Sequence, residues 1–173
     1  MDKPELNPDD KPELTPKELS KGEEILTTIG DRGLMIATAE SLTGGLIISK
    51  LTDVEGCSNC IDRGFVTYSA EAKQEMLGVK EETIEAHGTV SEEVAAEMAS
   101  GALERSRAHV AIAVTGVAGP GTVEGKPEGR VCFGLADKDG VRTETVDFGP
   151  LGRDQVRAET VNHALNMLLE AVK

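Results

Sequence analysis

A chain of 173 residues is long enough to bury a sizeable core as one folded unit, and with aromatics at 2% and no Trp that core must come from Ala, Val, Ile, Leu and Met. A formal net charge of −13, from 18 basic and 31 acidic residues, argues against a nucleic-acid partner, which needs clustered Lys and Arg; a small anion needs only a local positive pocket. No apolar run has the length of a membrane span and the N-terminus has no charged-then-apolar leader pattern, so no membrane partner and a cytoplasmic location are expected.

Residues 1–16 are rich in Pro and acid and carry "DKPEL" twice, which reads as a disordered tail. The folded domain is expected over 17–173, opening with a helix over 17–30 whose apolar members are Leu19, Ile25, Leu26 and Ile29. "LMIATA" (34–39) reads as a buried strand, "TGGLIISKLTD" (43–53) as a helix, "RGFVTYS" (63–69) as β-rich and "AEAKQEMLGV" (70–79) as helical. Ser91 caps a helix with Glu92 and Glu93 in its first turn and Val94, Ala95, Met98, Ala99, Ala102 and Leu103 on its apolar face. "HVAIAVTG" (109–116) is a buried strand, "KDG" (138–140) a hairpin turn between two strands, and a last helix runs from near Arg153 with Val156, Ala164, Leu165, Leu168 and Val172 inward. Helices alternating with buried strands, plus one hairpin, predict an α/β fold, a three-layer α/β/α sandwich around a mixed sheet.

Two loops can carry chemistry. "AESLTGG" follows a buried strand and opens a helix, so its glycines allow close backbone approach and the helix start favours negative charge. Ser41 there is either a nucleophile or, with Thr43, only a helix cap. "TGVAGPGTVEGKPEG" (115–129) follows a second buried strand; if the two strands are parallel, both loops meet at one sheet edge. His87, placed in a turn, His109 and His163 lie away from both loops, which leaves a lysine of lowered pKa as the alternative base; "YSAEAK" offers Tyr68 and Lys73, although most lysines are solvated. The pair "CSNC" (57–60) has no second pair for zinc and sits after a helix rather than at a helix start, so with Cys132 it reads as free thiols, with no metal. Arg153 and Arg157, one turn apart, are either an anion clamp or solvated arginines.

These motifs occur in a familiar order. "TAESLTGG", "GCS", "GFVTYSAEAKQEMLGV", "HGTVSEEVAAEMASGAL", "AIAVTGVAGPG", "KPEGRVCFG" and "GRDQVRAETVNHAL" resemble the CinA C-terminal domain family, which includes stand-alone nicotinamide mononucleotide (NMN) deamidases. The resemblance covers about residues 17–173. It implies a three-layer α/β fold with no metal or organic cofactor, acting as a homo-oligomer on NMN to give nicotinate mononucleotide and ammonia. It implies Ser41 as nucleophile and Tyr68 and Lys73 as the proton relay. It implies substrate contacts from Glu40, Thr43, Gly44 and Gly45, from Thr115, Gly116, Ala118 and Gly119, and from Arg153 and Arg157. The stretch "GTVEG" and the charged Glu128 and Arg130 depart from the family pattern, which keeps open a binding module without turnover.

Overall fold

The structure, a computed structural model, describes residues 16–173, with side chains from Lys21 on, Cys57 aside. The acidic tail read over 1–16 lies outside the described residues except for Pro16, which opens the first helix, as does the side chain of Leu19. The elements run α1 (Pro16–Asp31), β1 (Ile36–Glu40), α2 (Leu46–Thr52), β2 (Ile61–Val66), α3 (Ala70–Leu77), α4 (Glu81–His87), α5 (Glu92–Glu104), β3 (Val110–Gly116), β4 (Arg130–Asp137), β5 (Gly140–Asp147) and α6 (Arg153–Val172).

The sheet order is β2-β1-β3-β4-β5. β1 pairs in parallel with β2 and β3, while β3–β4 and β4–β5 are antiparallel, so the sheet is mixed as expected. Alternation along the strands separates two cores. Ile36, Ile112, Val114, Val131, Phe133 and Leu135 face one side and pack with α1, α2 and α6 through Ile25, Ile29, Ile47, Leu51, Leu165 and Leu168. Ala37, Ala39, Ala111, Ala113 and Ala136 face the other side and pack with α3 and α5 through Leu77, Val94, Met98 and Ala99.

The second layer is thin because its sheet residues are small. A Cβ at Gly134 would lie 2.4 Å from the Ala95 carbonyl oxygen, so α5 presses directly on β4 there. This is how a chain poor in aromatics fills its core: close backbone approach on one face, branched aliphatics on the other.

Two expectations change. α2 starts at Leu46 rather than Thr43, because Gly44 (φ 59°) and Gly45 (φ 103°) sit in the left-handed region and form the turn before it. His87, expected in a turn, ends α4; "EETIEAH" buries none of its residues and so carries no apolar period to read. Among the described residues no helix is long and apolar enough to cross a membrane.

Candidate active site

Because β1, β2 and β3 are parallel neighbours, their carboxyl ends reach one edge of the sheet. The ladder continues past the strands: Ser41 N–H donates to the Val114 carbonyl at 3.2 Å and Thr67 N–H to the Glu40 carbonyl at 2.8 Å. The expected convergence of the two loops therefore occurs, and β2 adds Thr67, Tyr68 and α3 to the same edge. A cleft of about 340 Å³ lies there, lined by Ser41, Tyr68, Lys73, Thr89, Thr115 and Arg153 among others. Larger hollows exist, such as an acidic groove of about 650 Å³ lined by Glu23, Asp31, Asp53 and Glu55, but it is in this cleft that a buried lysine amine reaches a serine hydroxyl.

Lys73 is 1% exposed. Ser69 Oγ accepts from Ala72 N–H and starts α3, and Gly78 (φ 70°) stops it, so one short capped helix carries the side chain inward. Its Nζ donates to the Thr67 carbonyl at 2.9 Å and the Tyr68 carbonyl at 3.3 Å, and lies 3.1 Å from Ser41 Oγ. Burial pushes the ammonium down to about 8, against a smaller opposing pull from the Glu124 carboxylate. A buried lysine held by two carbonyls and aimed at a serine has the geometry that a nucleophile and its base require, without a histidine. The histidines serve elsewhere: His109 Nδ1 accepts from Met35 N–H, His163 pairs with Glu144, and His87 lies 3.8 Å from Glu93.

Glu40 is wholly buried and does not line the cleft. Its Oε1 accepts from Thr43 Oγ1 at 2.7 Å and Ile47 N–H at 2.8 Å; its Oε2 accepts from Thr38 Oγ1 at 3.0 Å and Ile48 N–H at 3.1 Å. The open amides at the start of α2 are thus capped by Glu40, not by Ser41 or Thr43. This frees Ser41 from capping, and it also fills the helix start that was expected to receive a ligand's negative charge. Thr43 is buried on Glu40, and Gly44 N–H is already given to the Ser41 carbonyl at 3.1 Å; these two and Gly45 shape the turn and are not among the residues lining the cleft.

The two arginines part company. Arg153 lines the cleft, donating to the Gly119 carbonyl at 2.7 Å and to the Tyr68 hydroxyl at 3.1 Å. Arg157 donates to the carbonyls of Leu42 at 3.0 Å and Thr43 at 3.4 Å, holding the Ser41 turn from below the cleft. Tyr68 is 65% exposed at the mouth. Thr115, Gly116, Ala118 and Gly119 line the cleft, with Thr115 Oγ1 donating to the Thr89 carbonyl at 2.7 Å.

Arg130 forks onto Asp147 across the β4–β5 ladder rather than pairing with Glu128. "CSNC" falls in a 3-10 turn between α2 and β2, where the buried Cys60 thiol lies 3.6 Å from the Leu26 carbonyl. Among the described residues no group of three or more His, Cys, Asp or Glu is placed to hold a metal ion. Thr89, Val90 and Val123 also line the cleft and were not read from the sequence; the turn before a Ser-capped helix was the signal available for the first two.

The CinA C-terminal domain family model matches residues 19–172. The nicotinamide-nucleotide amidohydrolase PncC of Escherichia coli (strain K12) is 47% identical over 129 residues, 73% of this chain and 78% of that protein. PncC of Enterobacter agglomerans is 52% identical over 119 residues, 68% and 72% respectively. A CinA-like protein of Chlorobium phaeobacteroides is 53% identical over 135 residues; this chain spans 32% of its length. Relatives of that longer kind are thus matched over about a third of their length or less. The crystal structure of the competence/damage inducible protein CihA from Agrobacterium tumefaciens superposes with a TM-score of 0.89 at 44% identity, covering 94% of this chain and 99% of that one. The chain belongs to the CinA C-terminal domain family.

Proposed function

We propose that the protein hydrolyses the amide of NMN to nicotinate mononucleotide and ammonia. The observation that carries this reading is the 3.1 Å approach of the buried Lys73 Nζ to Ser41 Oγ. The amidohydrolase names of the two PncC relatives, each covered over more than two thirds of its length, support the substrate.

In this reading neutral Lys73 gives its two N–H bonds to the Thr67 and Tyr68 carbonyls and turns its lone pair to the Ser41 hydroxyl. Ser41 Oγ attacks the carboxamide carbon as its proton passes to Lys73. The C–N bond then breaks, and Lys73 returns the proton to the departing ammonia. Water attacks the resulting ester with Lys73 again as base, releasing the nicotinate carboxylate and restoring Ser41. Lys73 is assigned the proton transfer over Tyr68 because the tyrosine hydroxyl is engaged with Arg153 at the mouth. Tyr68 and Arg153 are assigned to the substrate, the arginine to its phosphate. Glu40 and Arg157 act through the turn that carries Ser41.

The test is ammonia release from NMN by the purified protein beside Ser41→Ala. Wild type releases ammonia and the variant does not. Full activity in the variant overturns the nucleophile, and no release by folded wild type overturns the substrate.

A further inference from the structure

The stretch that departs from the family pattern, "GTVEG", has a built structure of its own. Val123 N–H donates to the Lys126 carbonyl at 3.1 Å and Lys126 N–H to the Val123 carbonyl at 2.9 Å. Between them Glu124 (φ 53°) and Gly125 (φ 74°) are both left-handed, which makes a type I′ turn. Glu124 is the one described non-glycine residue with positive φ, a conformation that is unfavourable for a residue with a Cβ and persists where its surroundings hold it.

What holds it is the turn between α4 and α5. The Glu124 carboxylate accepts from Thr89 N–H at 2.8 Å and from Thr89 Oγ1. Lys126 Nζ donates to the His87 carbonyl at 2.6 Å. Gly88 leaves the room: a Cβ there would lie 2.0 Å from Glu124 Oε2. Thr89 is gripped from its other end by Thr115 Oγ1 at the end of β3. Thr89, Thr115 and Val123 all line the cleft.

We propose that Glu124 is a positioning residue of the cleft: its carboxylate ties the tip of the 117–129 loop to Thr89 and so holds Val123 and Thr89 as a fixed substrate wall. The inference rests on the reaction assigned above. Ser41 follows β1 and Lys73 stands on α3, so this tie does not hold either in place. The Glu124 carboxylate also pulls the Lys73 pKa upward, so kcat and KM are compared at about pH 9, where Lys73 is largely neutral with or without that pull, and loosening the wall then acts on substrate binding rather than on the chemical step. A role limited to keeping the protein folded would instead lower the active fraction, reducing kcat at constant KM.

The experiment uses Glu124→Gly, which removes the carboxylate while keeping a residue at ease in the left-handed turn, with Glu124→Gln as the conservative partner. Two readouts are taken on the full chain: steady-state ammonia release from NMN and hydrogen exchange of the Thr89 amide. The expected result for Glu124→Gly is a rise in KM of about tenfold with kcat within about twofold, and Thr89 exchange faster by about tenfold or more. Glu124→Gln, which keeps an acceptor, recovers part of both. A fall in kcat at unchanged KM, or unaltered Thr89 exchange, overturns the proposal. Wild-type protein inert on NMN overturns the reaction instead, and Thr89 exchange then still decides whether the tie exists.

Discussion

Lys73 has a pKa of about 8 in the fold against 10.5 for an ordinary lysine, and the direction of that shift has two consequences. As a general base it must be neutral, so kcat/KM is expected to climb about tenfold per pH unit below about 8 and to level above it. A profile flat between pH 6 and 9 would remove Lys73 from the proton transfer. For stability, native and unfolded chains both hold the proton below pH 8, and the native state bears the whole cost of a buried ammonium. Between about 8 and 10.5 the unfolded chain keeps a proton that the native chain has released, so unfolding free energy rises with pH. Wild type should therefore gain up to about 3 kcal/mol on Lys73→Met across that window, read as the difference between their denaturation curves. A constant difference would mean that the lysine titrates alike in both states. Glu40, a buried side chain with four donors around it, matters through its hydrogen bonds. Glu40→Gln turns an amide N–H₂ toward at least one of those donors and removes the charge from the start of α2. A loss of about 2–4 kcal/mol is expected in chemical denaturation. Unchanged stability would mean that the turn does not need the carboxylate.

At the scale of elements, what the sequence made legible was periodicity. The strands with alternating Ile/Val and Ala read correctly, as did α5 from its Ser91 cap and α6 from Val156, Ala164, Leu165, Leu168 and Val172, all buried. The meeting of the two loops followed from parallel pairing. Three things were not legible, each for a reason of range. α4 turns only the half-buried Ile84 toward the core, too little for an apolar period. Glu40 caps α2 from seven and eight residues upstream, beyond the three-residue reach of a local cap signal. Lys73 is buried by tertiary packing; the sequence offered it as a candidate base only against the strong tendency of lysine to be solvated, and the family resemblance is what tipped that balance. Packing between elements also sets a limit on change. Gly134→Ala would drive a methyl to 2.4 Å from the Ala95 carbonyl oxygen, and the backbone of α5 has to move to admit it. A destabilisation of about 1–3 kcal/mol or more is expected in urea. A neutral result would show that α5 slides freely on the sheet.

Over the whole molecule the charge of −13 opposes the task assigned to Arg153, which is to attract a net anionic nucleotide. The two effects act over different distances, and salt separates them. A chain of this length has a radius of gyration of about 16 Å. At about 0.01 M ionic strength the screening length is about 30 Å, so an approaching anion feels the full molecular charge. At about 0.1 M it is about 10 Å, which removes most of the long-range repulsion but leaves a contact with Arg153 largely intact. At about 1 M it is about 3 Å, and the arginine contact weakens as well. kcat/KM for NMN is therefore expected to rise on the order of threefold from the first condition to the second, and to fall again toward the third. In Arg153→Gln the rise should remain, because it belongs to the molecule, and the fall should vanish, because it belongs to one side chain. A monotonic decline in wild type from the lowest salt would mean that local attraction outweighs the molecular field even at long range, and a fall that survives in Arg153→Gln would place the phosphate contact on another residue.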